Sequence, residues 1–122
     1  MPTEPAPLTV FEAVKRACEV VDPDDDDELI GDFERAFEDD DEPIRAVDDI
    51  EERISDALAD LDPAANNGAL SVAAAVVVYL RFRRDESNAD PIELARLAAR
   101  AEWRGDAPEP VIEWLADRGI KL

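Results

Sequence analysis

The sequence contains no histidine, one cysteine and four isolated glycines among its 122 residues. Without histidine it cannot build a Ser-His-Asp triad, a Cys-His pair or a histidine-containing metal site. Cys18 alone allows no intrachain disulfide and supplies too few thiolates for a zinc site. The scattered glycines exclude a glycine-rich phosphate loop. We therefore predict no catalytic residue, no cofactor and no metal site, and interpret the chain as a protein other than an enzyme.

Positive charge is scarce, and arginine carries almost all of it. There are 32 acidic and 13 basic residues, the formal net charge is -19, and only Lys15 and Lys121 are lysines. Such a surface repels itself in dilute buffer, whereas in about molar salt the Debye length falls to about 3 Å and screens that repulsion. With its abundant alanine and valine, this composition resembles that of small acidic cytoplasmic proteins of halophilic archaea. The resemblance implies a salt-adapted cytoplasmic protein; an acidic decoy or DNA mimic is the alternative.

Long uncharged runs are absent apart from residues 69–80. A membrane-spanning helix needs about 20 apolar residues, which this run does not reach, and the first residues lack the basic start and apolar stretch of a signal peptide. We therefore predict a cytoplasmic protein with no membrane association. No polar face can be drawn on residues 69–80 at helical spacing, and their alanine triplet favours helix over strand. The run predicts a central buried helix over about 69–84.

Capping signals and apolar periodicity predict further helices around this run. Thr9-x-x-Glu12 has capping-box spacing and opens a helix over about 9–22, and a second follows over about 25–38. A third is predicted to start with Pro43 at its first position and to continue to about 61, with one narrow apolar stripe.

The last two predicted helices begin near Asp90 and Pro110, and Gly119 has the position of a glycine that closes a helix. Residues 1–8 contain three prolines and predict a flexible N-terminal segment, followed by a single helical domain over 9–122. The predicted fold class is all-α, with five to six helices packed as a bundle-like or orthogonal domain around the central helix. No internal repeat is evident.

Residues 69–104 are nearly neutral in net charge, and all of their basic residues are arginines. Residues 1–68 hold 23 acidic and 5 basic side chains, whereas residues 69–104 hold 5 and 6. Arginine suits bidentate contacts with carboxylates or phosphates. These side chains are therefore candidate contacts for an anion or a partner, unless they pair internally with the acidic half: Arg81, Arg83, Arg84, Arg96, Arg100 and Arg104.

The C-terminal half also resembles winged-helix regulators. Glu93-Leu94-Ala95 and residues 114–120 look like the second helix and the end of the third helix of such a domain. This resemblance implies an alternative function, a nucleic-acid-associated factor that uses the arginines of a helix-turn-helix-like half. The turn between the two helices is longer than the usual 3–4 residues, and the last helix is mostly acidic, which opposes docking on phosphates.

The two tryptophans, Trp103 and Trp114, lie at the margins of their helices' apolar faces. Each either fills the core or anchors a partner surface, where tryptophan is enriched. Together with the missing catalytic chemistry, they favour a non-catalytic protein–protein interaction or regulatory module. The expected partner is an unknown protein or a second copy in a homodimer, with nucleic acid as the less favoured alternative.

Overall fold

A computed structural model describes residues 8–64, 66–83 and 90–121. These residues form α-helices and one short 3₁₀ turn, and none of them lies in a β-strand, which confirms the predicted all-α fold. All but the last residue of the predicted flexible segment, 1–8, lie outside the described residues. The helices are α1 (Val10–Val21), α2 (Glu28–Ala36), α3 (Ile50–Leu61), α4 (Gly68–Phe82), α5 (Pro91–Trp103) and α6 (Glu109–Asp117).

Helix α4 is the centre of the fold, as its uncharged sequence predicts. It packs against each of the other five α-helices and against the 3₁₀ turn. Its buried side chains are all aliphatic: Leu70, Val72, Ala73, Ala74, Ala75, Val76, Val77 and Leu80. The helix ends at Phe82, where the Arg83 amide donates to the Tyr79 carbonyl at 2.8 Å. Arg84, the last residue of the predicted helix, lies outside the described residues.

The start of α1 is fixed by the predicted capping box. The Glu12 amide donates to the Thr9 hydroxyl, and the Thr9 amide donates to the Glu12 carboxylate, both at 3.1 Å. The first amides of a helix have no intrahelical partner. In α1 the first two helical amides have partners on a segment distant in sequence. The Val10 amide donates to the Glu42 carbonyl at 3.0 Å, and the Phe11 amide donates to the Asp40 carbonyl at 2.9 Å. This end of α1 is therefore tied to the α2–α3 connection.

That tie corrects the prediction of one continuous helix from Pro43 to residue 61. The structure instead has a 3₁₀ turn over Ile44–Ala46, an extended residue at Val47 and α3 beginning only at Ile50. The Ile44 amide donates to the Leu8 carbonyl at 2.8 Å, so the chain around Pro43 pairs with the start of α1 instead of coiling. The apolar stripe survives the interruption, because Ile44, Val47 and Ile50 are all buried.

The α1–α2 and α3–α4 connections are the same turn, used twice 40 residues apart. Each follows a 12-residue helix and begins with Asp-Pro, at Asp22 and Asp62, whose backbone angles are nearly identical. Each carboxylate accepts from the two amides four and five residues later. The later of the two donors, Asp27 or Asn67, is the N-cap of the next helix. The two connections thus use the same aspartate hydrogen bonds, a similarity that was not identified from the sequence.

Helix α6 crosses the first turn of α4 at backbone contact. A Cβ atom on Gly68 would lie 2.1 Å from the Pro110 carbonyl oxygen and 2.9 Å from Cβ of Trp114, so only glycine fits there. Trp114 is 8% exposed and packs in the core on this contact.

The end of α6 confirms the predicted glycine closure. Gly119 has a φ of +70° and donates to the Ala116 carbonyl at 3.0 Å, while Ile120 donates to the Leu115 carbonyl at 2.9 Å. This pair of hydrogen bonds is a Schellman motif, in which a left-handed residue satisfies the last carbonyls of the helix. Ile120 is buried against the core as a result.

Candidate functional site

One stripe of α4 forms the floor of a groove between α3 and α5; its alanines are buried, and its other members are half-buried or exposed. Its members recur every three or four residues, so they share one face of the helix. At a rise of 1.5 Å per residue, the stripe is about 16 Å long. Two adjoining depressions of about 350 Å³ each make up the groove. The floor residues are Ser71, Ala74, Ala75, Val78, Tyr79 and Phe82.

The walls of this groove are stripes of the two flanking helices. Helix α3 contributes Glu51, Ile54, Ser55 and Leu58, and helix α5 contributes Ala98, Ala101, Glu102 and Trp103. The α3 residues share one face at this spacing, as do Ala98, Ala101 and Glu102, whereas Trp103 extends the wall from the last position of α5. Three helical stripes therefore surround an elongated space whose floor is made largely of small side chains.

Aromatic side chains mark the two ends of the groove. Trp103 is half-buried and lines one depression together with Leu58 and Ser71. Phe82 lines the other depression and is 64% exposed, the largest exposure among the large apolar side chains described. The groove thus offers an aromatic contact surface at each end and aliphatic contacts between them.

Two carboxylates face the middle of the groove from opposite walls. Glu51 and Glu102 each border both depressions, as do Ala75 and Val78 on the floor between them. Both glutamates are exposed, and neither forms an ion pair with another described residue. Arg83 also lines the groove, at the Phe82 end.

The cation nearest in sequence to Glu51 is occupied elsewhere. Arg53 pairs with Glu42 at 3.0 Å, Asp49 at 3.2 Å and Asp40 at 3.7 Å. The hydrogen bond from Arg53 helps hold the pKa of Glu42 below its ordinary value, after the larger effect of a backbone hydrogen bond. Arg53 therefore clamps α3 to the preceding connection and leaves the middle of the groove with a negative charge.

Five of the six predicted arginine contacts lie among the described residues, and they have different surroundings. Arg96 is paired with Glu93, with its Nε 3.0 Å from a carboxylate oxygen, and this hydrogen bond raises the pKa of Arg96. The Arg81 guanidinium lies 5.4 Å from the centroid of the neighbouring Phe82 ring. Arg83 lines the groove at the end of α4.

The other two described arginines of the set belong to the C-terminal part of α5. Arg100 and Arg104 are exposed on α5 and at its C-terminal cap, and Arg84 lies outside the described residues. Arg104 follows Trp103, which lines the depression beside Ser71, whereas Arg83 belongs to the depression beside Phe82. Among the described arginines of this set, Arg83 alone lines the groove.

The two tryptophans have different positions. Trp103 lies on the groove, as described above, whereas Trp114 is in the core with its indole Nε1 buried and without a hydrogen-bond partner. The Arg118 guanidinium covers the Trp114 ring at 4.1 Å and donates to the Val21 carbonyl at 3.5 Å. Arg118 thereby links the end of α6 to the end of α1.

Cys18 is buried in α1 and is protected from ionisation. Its thiol lies 3.7 Å from the Ile30 carbonyl, to which it donates a weak hydrogen bond. Burial, followed by the nearby carboxylates of Glu34 and Asp22, raises the pKa of Cys18 to about 12. A thiol with this pKa is protonated at neutral pH and is a poor nucleophile.

The acidic runs are used mainly to end and begin helices. Asp22 accepts the amides of its turn and Asp27 caps α2. Across residues 8–64, 66–83 and 90–121, no three potential ligand side chains converge on a metal site. In the same part of the chain, no helix combines the length and the apolar character required to cross a bilayer.

Comparison of the chain with protein-family models, with curated proteins and with solved structures gives no match. We therefore infer its function from the groove itself.

Proposed function

We propose that this protein is a non-catalytic interaction module that binds an amphipathic helix of a partner protein in the α4 groove. The observation that carries the proposal is the groove whose floor is α4, from Ser71 to Phe82, and whose walls are residues of α3 and α5. Laying the apolar face of one helix into a groove between others is a recurring mode of peptide recognition. The groove supplies three sides of such a packing arrangement.

Several features of the groove favour a helix as the occupant. A length of about 16 Å corresponds to about three helical turns. Small floor residues such as Ala74 and Ala75 allow the 8–10 Å approach between axes that packed helices require. Trp103 and Phe82 provide aromatic anchors at the two ends, and aromatic residues contribute strongly to binding at interfaces.

The composition supports a salt-adapted module in the cytoplasm. With a net charge of -19, the protein is expected to bind its partner under high ionic strength, where apolar contacts remain effective while long-range charge effects are screened. The nucleic-acid alternative has less support, because Arg96 is already paired with Glu93 and the exposed charges of α3 around the groove are mainly acidic.

The proposal can be tested by filling the groove. Ala101 is exposed and lines the groove, whereas Ala116 is exposed on α6 and is not among the lining residues. The probe is an amphipathic peptide of about 14 residues, a little longer than the groove, with a leucine and alanine face and glutamine elsewhere. Binding should change the tryptophan emission saturably, and Trp103→Phe should remove that change.

Ala101→Tyr should weaken this binding by about tenfold or more, while the matched control Ala116→Tyr should leave it unchanged. Far-UV circular dichroism would verify that both variants keep the fold. Equal binding by both variants, or the absence of a saturable change in the unmodified protein, would contradict the proposal.

A further inference from the structure

We infer that the helix that occupies this groove is basic and places one lysine or arginine side chain between Glu51 and Glu102. This inference rests on the proposed helix-binding function and specifies the chemistry of the partner. Its basis is the pair of carboxylates on opposite walls at the junction of the two depressions.

The surface between the two carboxylates is apolar. Ala75 and Val78 form the floor at this junction, and both belong to the two depressions that Glu51 and Glu102 border. Lysine and arginine bury an aliphatic stem on apolar surface while their charged head reaches polar groups. A partner cation can therefore rest its stem on Val78 and hold its head between the two glutamates.

Glu51 and Glu102 give the middle of the groove a negative character, whereas Arg83 lines the groove at the Phe82 end. Among the described residues, neither Glu51 nor Glu102 is ion-paired, and Arg53 is occupied by three other carboxylates. The exposed side of α3 adds further negative charge through Asp56 and Asp60. A basic helix is attracted to this surface, and an acidic one is repelled.

The same charge argues against a second copy of this chain as the occupant. Each copy would bring a net charge of -19 to an acidic rim, so self-association would bring like charges together, which costs free energy. We therefore commit to a different protein with a basic amphipathic helix, and treat a homodimer as an outcome that the experiment can reveal.

Three peptides with one apolar face test this inference. Their flanking positions carry lysine, glutamine or glutamate, and Kd is measured from tryptophan emission at roughly 0.5 M KCl, where the Debye length is still a few ångströms. The lysine peptide should bind about tenfold more tightly than the glutamine peptide, and the glutamate peptide should bind most weakly.

Matched variants locate the source of this preference. Glu51→Gln combined with Glu102→Gln should reduce the lysine preference to within about threefold, while the affinity for the glutamine peptide stays unchanged. Glu52→Gln combined with Glu109→Gln removes the same charge from exposed positions outside the groove. This control should retain the preference.

The possible results are distinguishable. If the glutamine and glutamate peptides bind as tightly as the lysine peptide, the basic partner is wrong and the helix-binding function stands. If no peptide binds, the proposed function fails as well. If sedimentation shows a dimer that Ala101→Tyr abolishes and Ala116→Tyr does not, the occupant is a second copy and the inference is overturned.

Discussion

Replacing Gly68 by alanine should destabilise the protein, although the usual effect of this change in a helix is the opposite. Gly68 is the first residue of α4, and alanine has a higher helix propensity than glycine by about 1 kcal/mol. The added Cβ would lie 2.1 Å from the Pro110 carbonyl oxygen and 2.8 Å from its carbon. Because both are backbone atoms, α6 has to move away from α4. Overpacking of this kind costs about 1–3 kcal/mol.

Gly31 provides the matched control within the same chain. It lies within α2, and a Cβ there would have as its nearest neighbours the end of the flexible Arg35 side chain, at 3.6 Å and beyond. Gly31→Ala should therefore stabilise the protein by about 0.5–1 kcal/mol, through helix propensity and the loss of freedom in the unfolded chain. The same substitution is thus expected to have opposite signs at two glycines.

Equilibrium unfolding in urea at one fixed KCl concentration measures both effects, since urea leaves the ionic strength unchanged. With an m-value of about 2 kcal/mol per M, a loss of 2 kcal/mol lowers the midpoint by about 1 M. Tryptophan emission should also report the change, because Trp114 contacts the site of the added methyl group. A Gly68→Ala protein as stable as the wild type would refute the backbone contact between α4 and α6.

Four further predictions concern the fold, the thiol and the charge. Asp22→Ala and Asp62→Ala each remove a carboxylate that accepts two amides, so each should cost about 1–2 kcal/mol in urea unfolding. Burial raises the pKa of Asp22, but the amides of its turn and the charge of Arg118 lower it by more, and the net shift is downward. Its stabilisation should therefore be complete above the ordinary aspartate range and disappear as the pH falls through the lowered pKa. The loss of stability in acid should be smaller in Asp22→Ala than in the wild type. Cys18, whose pKa is about 12, should resist iodoacetamide in the native protein and react in urea, as mass spectrometry would show; rapid native labelling would contradict its burial. Val77 is fully buried, so Val77→Asp should abolish cooperative unfolding, and native-like stability of this variant would refute the central position of α4. The urea midpoint should rise between about 0.1 M and 1 M KCl, as the Debye length falls from about 10 Å to about 3 Å; a constant midpoint would argue against salt adaptation.

Local signals predicted the helices well wherever neighbouring residues satisfy the backbone. Thr9 and Glu12 cap α1 through side chains three residues apart, and the Gly119 closure also uses adjacent residues. The prediction of a helix starting at Pro43 is wrong for the opposite reason. The chain there bonds to the start of α1, more than 30 residues away, and no local pattern reports such a pairing.

The sequence did not predict the groove, although Arg83 and Trp103, which line it, were candidate contacts. Trp103 could be singled out because it lies at the margin of an apolar face, but residues 69–80 looked equally apolar all round and were expected to be covered by the other helices. Which stripe of α4 lines the groove depends on where α3 and α5 pack. The spacing of Ser71, Ala74, Ala75 and Val78 was the available signal, since small residues on one face allow a helix to approach.

The central position of α4 also has a consequence for the order of events during synthesis. Helices α1, α2 and α3 all pack on α4, yet they leave the ribosome before it, within a stretch that carries 23 acidic and 5 basic side chains. Until α4 emerges, these segments have only one another as partners, and exposed apolar surface in a nascent chain promotes aggregation. Completion of the core therefore waits for α4, the helix against which all three pack.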